Sequence, residues 1–509
     1  MKFVQALLVL LVYAAFCTLI FWRHRQRVRA AAQRAQALLH SAVPGSSAGG
    51  TPWWVVHASQ TGQAEALAEQ TAQALHSAGL AVRLLPLGQL RREALQGVER
   101  LLCIVSTYGE GDAPDSAAAF VRDLMEAPGQ TDAQRAEAPR LEALKFGVLA
   151  LGDVSYAQYC GFGRALDAWL QDCGAQPLFD RIEADRMAPS ALLRWREQLG
   201  ALIGAHGMAG VSGGVDLPDW ETPPLQGWTL RARRHLNPGS AGGPVHHLEF
   251  VPEQGALPSW EAGDLAQIEV PGAAGVPRDY SIASIPADGA LHLLVRQTRR
   301  TQADGSSSPG LASGWLTAAT EQGLPVGGRA MLRVRSHSAF RIGANASRPL
   351  ILIGNGTGLA GLRAHIRARL VQAPQPADGA GPRLWLFFGE RHAATDAYYR
   401  DELQTWVEQG VLRVEWVFSR EPAAPAAASM VGQAGLVGQR RYVQHALRDA
   451  APELRDWVSG VCGQPGAAIY VCGSLQGMAG EVDAALRDIL GETDLRQLAD
   501  EGRYRRDVY

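Results

Sequence analysis

"HASQTGQAEALAEQ", residues His57–Gln70, decides how the first half of the chain is read. It follows the apolar run WWVV and leads into a stretch rich in Ala, Leu and Glu. An apolar run with aromatic and β-branched residues, then a polar turn, then helix formers, predicts strand, loop and helix. The loop presents Ser59, Gln60, Thr61, Gly62, Gln63 and Ala64, which place hydroxyls and backbone N–H groups at a helix start, where anions bind. It holds no Lys or Arg, which separates it from the G-x-x-x-x-G-K-[ST] loop of nucleoside triphosphatases. Its anion must be held by hydroxyls and amides alone.

A length of 509 residues calls for two or three domains, and 47% apolar with 19% charged residues is enough to build full cores. The net charge of −2 gives no bulk attraction to nucleic acid, so none is expected as a partner. Nearly every basic residue is Arg; only Lys2 and Lys145 are lysines. Cys17, Cys103, Cys160, Cys173, Cys462 and Cys472 show no C-x-x-C spacing. That argues against a disulfide framework or a metal site and fits a reducing compartment. Phe3 to Trp22 is about 20 residues without a charge, enough to cross a bilayer, and RHRQRVR follows at once. The expectation is a single transmembrane helix in the inner (cytoplasmic) membrane, with the rest of the chain in the cytoplasm by the positive-inside rule.

The organisation expected is an anchor (1–23), a juxtamembrane helix and tether (24–51), an α/β domain (52–206), a Gly/Pro-rich linker (207–224), an antiparallel β-barrel (225–345) and a second α/β domain (346–509). In the first α/β domain, three strand ends carry unusual polar loops: HASQTGQA, STYGEGDAPDS and LGDVSYAQYCGFG. A parallel sheet binds ligands beyond such ends. The set offers a hydroxyl-lined phosphate nest, two aromatic-bearing loops and acidic residues without cations, which suits flavin mononucleotide and raises the cost of an anionic reduced ring. The acidic residues Glu110, Asp112 and Asp115 are either a rim that steers a basic partner or an ordinary solvated loop.

These loops resemble those of flavodoxin, and more specifically the flavodoxin-like domain of the diflavin reductases. The S-Q-T-G-x-A-E loop runs from Ser59 to Glu65, S-T-Y-G-E-G-D begins Ser106, Thr107, Tyr108, Gly109, and L-G-D-x-x-Y supplies Gly152, Asp153 and Tyr156. The resemblance implies FMN, with Tyr108 and Tyr156 flanking its ring.

In the barrel region, PRDYSIASIP sets Arg278 and Tyr280 on one face of a strand, with Ser281 opposite or at a twist. Arg suits a pyrophosphate and Tyr a ring. GLASGWL follows, with Gly310, Ala312 and Ser313 at a helix start. The pair is similar to the R-x-Y-S and G-x-[CA]-[ST] motifs of the ferredoxin–NADP⁺ reductase family and implies FAD. PLILIGNGTGLAGL is a buried strand, then Gly354, Gly356, Thr357 and Gly358, then a helix, the context a dinucleotide turn needs. It is similar to the family's G-P-G-T-G, with Asn355 in place of Pro. Ser419-Arg420 and Arg440-x-Tyr442-x-Gln444 correspond to the family's S-R and K-x-Y-x-Q, and imply NADPH through the 2′-phosphate. The terminal Asp507-Val508-Tyr509 matches D-V-[WY], which implies that Tyr509 covers the FAD ring. Ser281, Cys472, Asp507 and Tyr509 are then the expected catalytic set. The family's C-G-D is Cys472-Gly473-Ser474 here.

The resemblance implies an NADPH-dependent flavoprotein oxidoreductase that passes electrons from NADPH through FAD and FMN to a one-electron acceptor. That acceptor is a haem or metal protein, among them a sulfite reductase haemoprotein. An electron-transfer subunit of a membrane redox complex with little activity alone, or a non-catalytic flavin-binding regulator, are the alternatives. Only about fifty residues lie between the linker and Arg278, too few for the helical connecting domain of the P450 and sulfite reductase flavoproteins.

Overall fold

The computed structural model describes residues 51–109, 111–126, 139–154, 156–206, 224–272, 277–301, 306–318, 323–372, 383–420, 440–460 and 465–509. The chain divides into two units, 1–220 and 221–509.

The first unit is a parallel sheet built from β1 (Trp53–Ala58), β2 (Val82–Pro86), β3 (Arg100–Ser106), β4 (Lys145–Gly152), β5 (Gln176–Pro177) and β6 (Ile182–Asp185). The order is β2-β1-β3-β4-β5, with β6 also paired to β4. Its central strands are apolar on both sides, as a sheet covered on both faces requires. Val56, Ala58, Cys103 and Val105 pack with Phe120, Phe146 and Leu166. Trp53, Val55, Leu102 and Ile104 pack against Leu67, Leu75, Trp195 and Leu199. The helices Gln63–Ser77 and Pro189–His206 therefore cover one face, and Gly161–Asp172 the other. The strand order reverses between β1 and β3, which opens a crevice at their carboxyl ends. Those ends carry the Ser59 and Ser106 loops.

Two of the helices that cover the sheet are tied by a buried polar contact. Trp195 Nε1–H donates to Thr71 Oγ1 at 3.1 Å, and the Thr71 hydroxyl donates to the Leu67 carbonyl at 2.8 Å.

The second unit begins with β7 (Gln226–His235), β8 (Val245–Pro252), β9 (Leu265–Ile268), β10 (Arg278–Ser281), β11 (Leu291–Arg296), a small ribbon β12 (Arg299–Thr301) and β13 (Ser307–Pro309), and β14 (Arg329–Arg335). The antiparallel order is β10-β9-β14-β7-β8-β11. An Ile282–Leu293 bridge joins the two outer strands and closes the barrel. Trp228, Leu248, Phe250, Ile268, Leu291 and Leu293 fill it. Among the described residues no helix interrupts β7 to β10. The parallel sheet that follows comprises β15 (Leu350–Asn355), β16 (Leu384–Glu390), β17 (Leu412–Phe418), β18 (Ala468–Gly473) and β19 (Tyr504–Val508), in the order β17-β16-β15-β18-β19. The α/β, barrel, α/β sequence of architectures follows the expected one.

The membrane expectation needs correction. No helix among the described residues is long and apolar enough to cross a membrane. The longest of them, Pro189–His206, has 18 residues, but Arg194, Arg196 and Glu197 break its apolar character. The stretch 3–22 on which the inner-membrane placement rested lies outside the described residues. The membrane partner and the cytoplasmic-membrane localisation are therefore withdrawn.

Replacing Thr71 with Val preserves volume and leaves the Trp195 N–H buried without an acceptor. The expected loss is about 1–3 kcal/mol, measured as a lower denaturation midpoint of the first unit; an unchanged midpoint would show that this contact does not bind the two helices.

Candidate functional site

The crevice of the first unit is built by cross-loop hydrogen bonds. Ser59 N–H donates to Ser116 Oγ (3.0 Å), whose hydroxyl donates back to the Ser59 carbonyl (3.2 Å). Gln60 Oε1 accepts from Asp115 N–H (3.1 Å). Ser59 Oγ takes the N–H of Ala64 at 3.3 Å, while Gly62 caps the helix Gln63–Ser77 at φ 81° and offers no side-chain acceptor. A left-handed backbone is natural to glycine, and at this N-cap it supplies no side-chain oxygen, so Ser59 Oγ on Ala64 N–H is the side-chain bond given to the first turn. Among the described residues, the backbone N–H groups of Thr61, Gly62 and Gln63 have no partner. Thr107 Oγ1 is likewise buried and unpaired.

The neighbouring loops are folded back tightly. Tyr108 and Asp112 exchange two backbone hydrogen bonds of 2.8 Å across Gly109 (φ 53°) and Gly111 (φ 121°). A Cβ on Gly161 would lie 2.9 Å from Gly111 Cα, and one on Gly152 would lie 2.8 Å from Cys160 N. Only glycine permits these approaches. Ser106 Oγ–H donates to the Ala58 carbonyl (3.0 Å), joining the ends of β1 and β3. Tyr156 is 49% exposed, so its ring is available to cover a flat ligand. Open amides, an orphaned buried hydroxyl and an available aromatic fit a flavin phosphate and ring. One expectation is modified: the surroundings are not free of cations, because Arg186 from the end of β6 approaches Asp153 at 3.8 Å.

The second site lies where the barrel meets the second parallel sheet. In-register pairing of β18 with β19 sets Cys472 beside Asp507. The Ser281 hydroxyl donates to Asp507 Oδ2 at 2.8 Å, and the Cys472 thiol approaches the same oxygen at 3.6 Å. Three residues distant in sequence thus share one carboxylate oxygen. Burial and the adjacent carboxylate push the Cys472 thiol well above its usual pKa. Tyr509 follows; its N–H bonds to the Gly473 carbonyl and its hydroxyl to Thr357 Oγ1 at 3.2 Å.

On β10, Arg278 and Tyr280 pair with Ile268 and Ala266, and Ser281 with Leu265, giving the expected division of faces. Arg278 is exposed and Tyr280 half-buried; burial pushes the Tyr280 phenol up to about 12. Gly310 caps a short helix, Leu311–Thr317, with Ala312 in its first turn. Ser313 is buried, and its Oγ bonds to the N–H and Oγ1 of Thr298 (3.0 and 2.8 Å). Its hydroxyl fastens this helix to the chain after β11.

The turn after β15 is shaped by close approach. A Cβ on Gly354 would lie 2.7 Å from the Cys472 carbonyl oxygen, and one on Gly358 would overlap that oxygen; Gly356 has φ 56°. Asn355 Oδ1 accepts the Ser474 N–H at 3.1 Å, so the two departures from the family pattern touch each other. The side chains of Arg420, Arg440 and Tyr442 are exposed, whereas Gln444 is buried. Ser419 N–H extends the end of β16 through the Glu390 carbonyl (2.8 Å).

Sequence reading missed Arg296 and Glu390, which form an ion pair beside Gly356. The Tyr398 hydroxyl donates to Glu390 Oε1 (3.0 Å) and accepts from Arg296 (3.2 Å). Charged residues at the ends of apolar strands were the signal, at LLVR and FFGE.

Comparison with known proteins agrees with this geometry. A flavodoxin family model matches residues 55–197, and an oxidoreductase NAD-binding domain model matches residues 352–484. The chain is similar to the sulfite reductase [NADPH] flavoprotein alpha-components of Neisseria meningitidis serogroup A (27% identical over 577 positions) and Yersinia pestis (28% over 582), with 89% of each chain covered. That of Klebsiella pneumoniae is 27% identical with the same coverage. The alignments run over more positions than this chain has residues, so the relatives carry segments that it lacks.

A raised pKa keeps Cys472 protonated as pH rises past the ordinary thiol range. The folded chain is therefore expected to resist iodoacetamide at Cys472 up to pH 9, read by peptide mass spectrometry. Stoichiometric alkylation before unfolding would contradict the buried trio.

Proposed function

We propose, for a chain that belongs to the diflavin reductases and binds FMN, FAD and NADPH, that its product is single electrons delivered to a haem or metal centre on a partner protein. A sulfite-reducing haemoprotein is the first partner to test, since the relatives bear sulfite reductase in their names. The observation that carries the reading is the convergence of Ser281, Cys472 and Asp507 on one oxygen beside the glycine turn of β15.

The bound flavins supply the conversion of a hydride, two electrons at once, into single-electron steps. The chain's own residues do the rest. The loop Ser59–Ala64, with Ser106, Thr107 and Gly109, holds the FMN phosphate and ring edge through hydroxyls and amides, and Tyr108 and Tyr156 cover the ring. Arg278 faces the FAD pyrophosphate while Tyr280 lines its ring. Gly310, Ala312 and Ser313 support the opposite end of that group, Ser313 by fixing the helix that carries them. Gly354, Gly356, Thr357 and Gly358 admit the NADPH backbone, and Ser419, Arg420, Arg440, Tyr442 and Gln444 recognise its 2′-phosphate and adenine. Gln444, being buried, acts there by orienting the Tyr442 segment. Ser281 and Asp507 hold a hydrogen-bonded proton next to the hydride path, with Cys472 packed behind them. Tyr509 would cover the FAD ring and would have to move aside to admit the nicotinamide.

Flavin released by denaturation is expected to be one FMN and one FAD per chain; FAD alone would break the two-flavin reading at its start. Replacing Arg420 and Arg440 together with Ala should raise KM for NADPH at least tenfold, roughly 1.4 kcal/mol or more, and leave that for NADH within about twofold. Deleting Tyr509 should narrow the NADPH-to-NADH ratio of kcat/KM, and an unaltered ratio would show that it need not move aside for the nicotinamide.

A further inference from the structure

The outer face of the barrel carries a cluster that the electron path does not use. On β8 and β11 the core-facing positions are Leu248, Phe250, Leu291 and Leu293. Strand alternation therefore puts His247, Glu249 and His292 together on the opposite face. Register sets Glu249 directly across from His292, with His247 two residues along β8. The two imidazoles meet edge to face, with ring centroids 4.8 Å apart.

His247 and His292 are 5% and 8% exposed. His247 Nδ1 lies 2.8 Å from the Tyr399 hydroxyl, and its Nε2 lies 3.2 Å from Glu249 Oε1. His292 is different: neither of its ring nitrogens has a hydrogen-bond partner among the described residues. Buried polar atoms are paired in the great majority of cases, so a buried imidazole with both nitrogens open marks an absent partner. One nitrogen from each imidazole and one Glu249 oxygen all lie within 4.8 Å of one another.

We propose that His247, Glu249 and His292 form a binding site for a divalent late first-row transition-metal ion, with zinc as its natural occupant. Two imidazoles and one carboxylate are a known zinc donor set, and the fourth position falls to water. Zinc bonds of about 2.1 Å at tetrahedral angles separate ligand atoms by about 3.4 Å. The His247–Glu249 pair already has that spacing, and rotation of the His292 ring closes the remainder. The Tyr399 hydroxyl holds Nδ1 of His247 and thereby leaves Nε2 to face the ion.

The surrounding charges permit the site and moderate it. Arg231 donates to Glu249 Oε2 (2.7 Å), which leaves Oε1 for the ion. Arg363 lies over the Tyr399 ring at 5.0 Å, but it is paired with Glu402 (2.7 Å). The ion would cross-link β8 to β11 and, through Tyr399, to the start of the helix Arg400–Glu408. Zinc takes no part in one-electron chemistry, so the ion stands outside the electron path and acts as this cross-link, with its fourth position left to water.

The test uses the full chain with its flavins, stripped by chelator, supplied with zinc and passed through gel filtration. One zinc per chain is expected by elemental analysis, with nitrogen and oxygen ligands in the zinc-edge absorption spectrum and a raised Tm. His292→Asn and Glu249→Gln are each expected to lose the retained zinc while FMN and FAD content stays unchanged. No retained zinc in the parent chain, or equal zinc in both variants, would overturn the proposal. If His292→Asn fails to fold, the partly exposed Glu249→Gln decides alone. Because the readout is metal content, the result is independent of the electron acceptor.

Discussion

The carbonyl oxygen of Cys472 stands where side chains at Gly354 and Gly358 would otherwise be, and the second unit is organised around that close approach. It brings the end of β18 against the turn after β15, so the dinucleotide turn and the terminal strand share one floor. Parallel pairing of β18 with β19 then fixes Asp507 level with Cys472. From there the Asp507 carboxylate reaches back to Ser281 on the barrel. A single backbone contact thus ties the geometry of three segments that come from different parts of the sequence. Any residue larger than glycine at Gly358 would push β18 from the turn and carry Asp507 with it.

Charge in this region is handled by pairing within the protein. Glu390 sits buried at the end of β16, and its desolvation is offset by Arg296 and by the Tyr398 hydroxyl. The arrangement places a guanidinium from the barrel over the Gly356 turn. Leaving Glu390 unpaired would place a bare, buried carboxylate beside the Gly356 turn. The pair therefore neutralises that charge at the turn as well as joining the barrel to the sheet.

The strands and glycine turns were legible because they are local: apolar runs ending in Ser/Thr/Gly loops keep their meaning wherever the chain takes them. HASQTGQA, STYG and GNGTG each arrive where expected, at carboxyl ends of parallel strands. What depends on pairing across the fold was not legible. The Arg186 approach to Asp153 depends on where β6 ends, and the Arg296–Glu390 pair depends on how β11 meets β16. The outward face shared by His247, Glu249 and His292 depends on strand register. Cysteine spacing gave no hint of such a cluster, because it is made of two histidines and a glutamate on two neighbouring strands. The apolar stretch at 3–22 had the opposite fault: its length and its basic flank are strong signals, yet they concern residues outside those described, and no described helix is long and apolar enough to cross a membrane.

The departures from the family pattern also make sense together. A proline at position 355 would offer no side-chain acceptor, whereas Asn355 Oδ1 binds the N–H of Ser474 directly. Where the family has an acid after C-G, this chain has a small serine whose backbone is fixed by that asparagine. The glycine turn after β15 is therefore braced by an amide side chain, and Ser474 brings no negative charge to it. Hydride transfer demands reacting atoms about 3–3.5 Å apart, so a rigid turn matters more there than the identity of the groups that brace it.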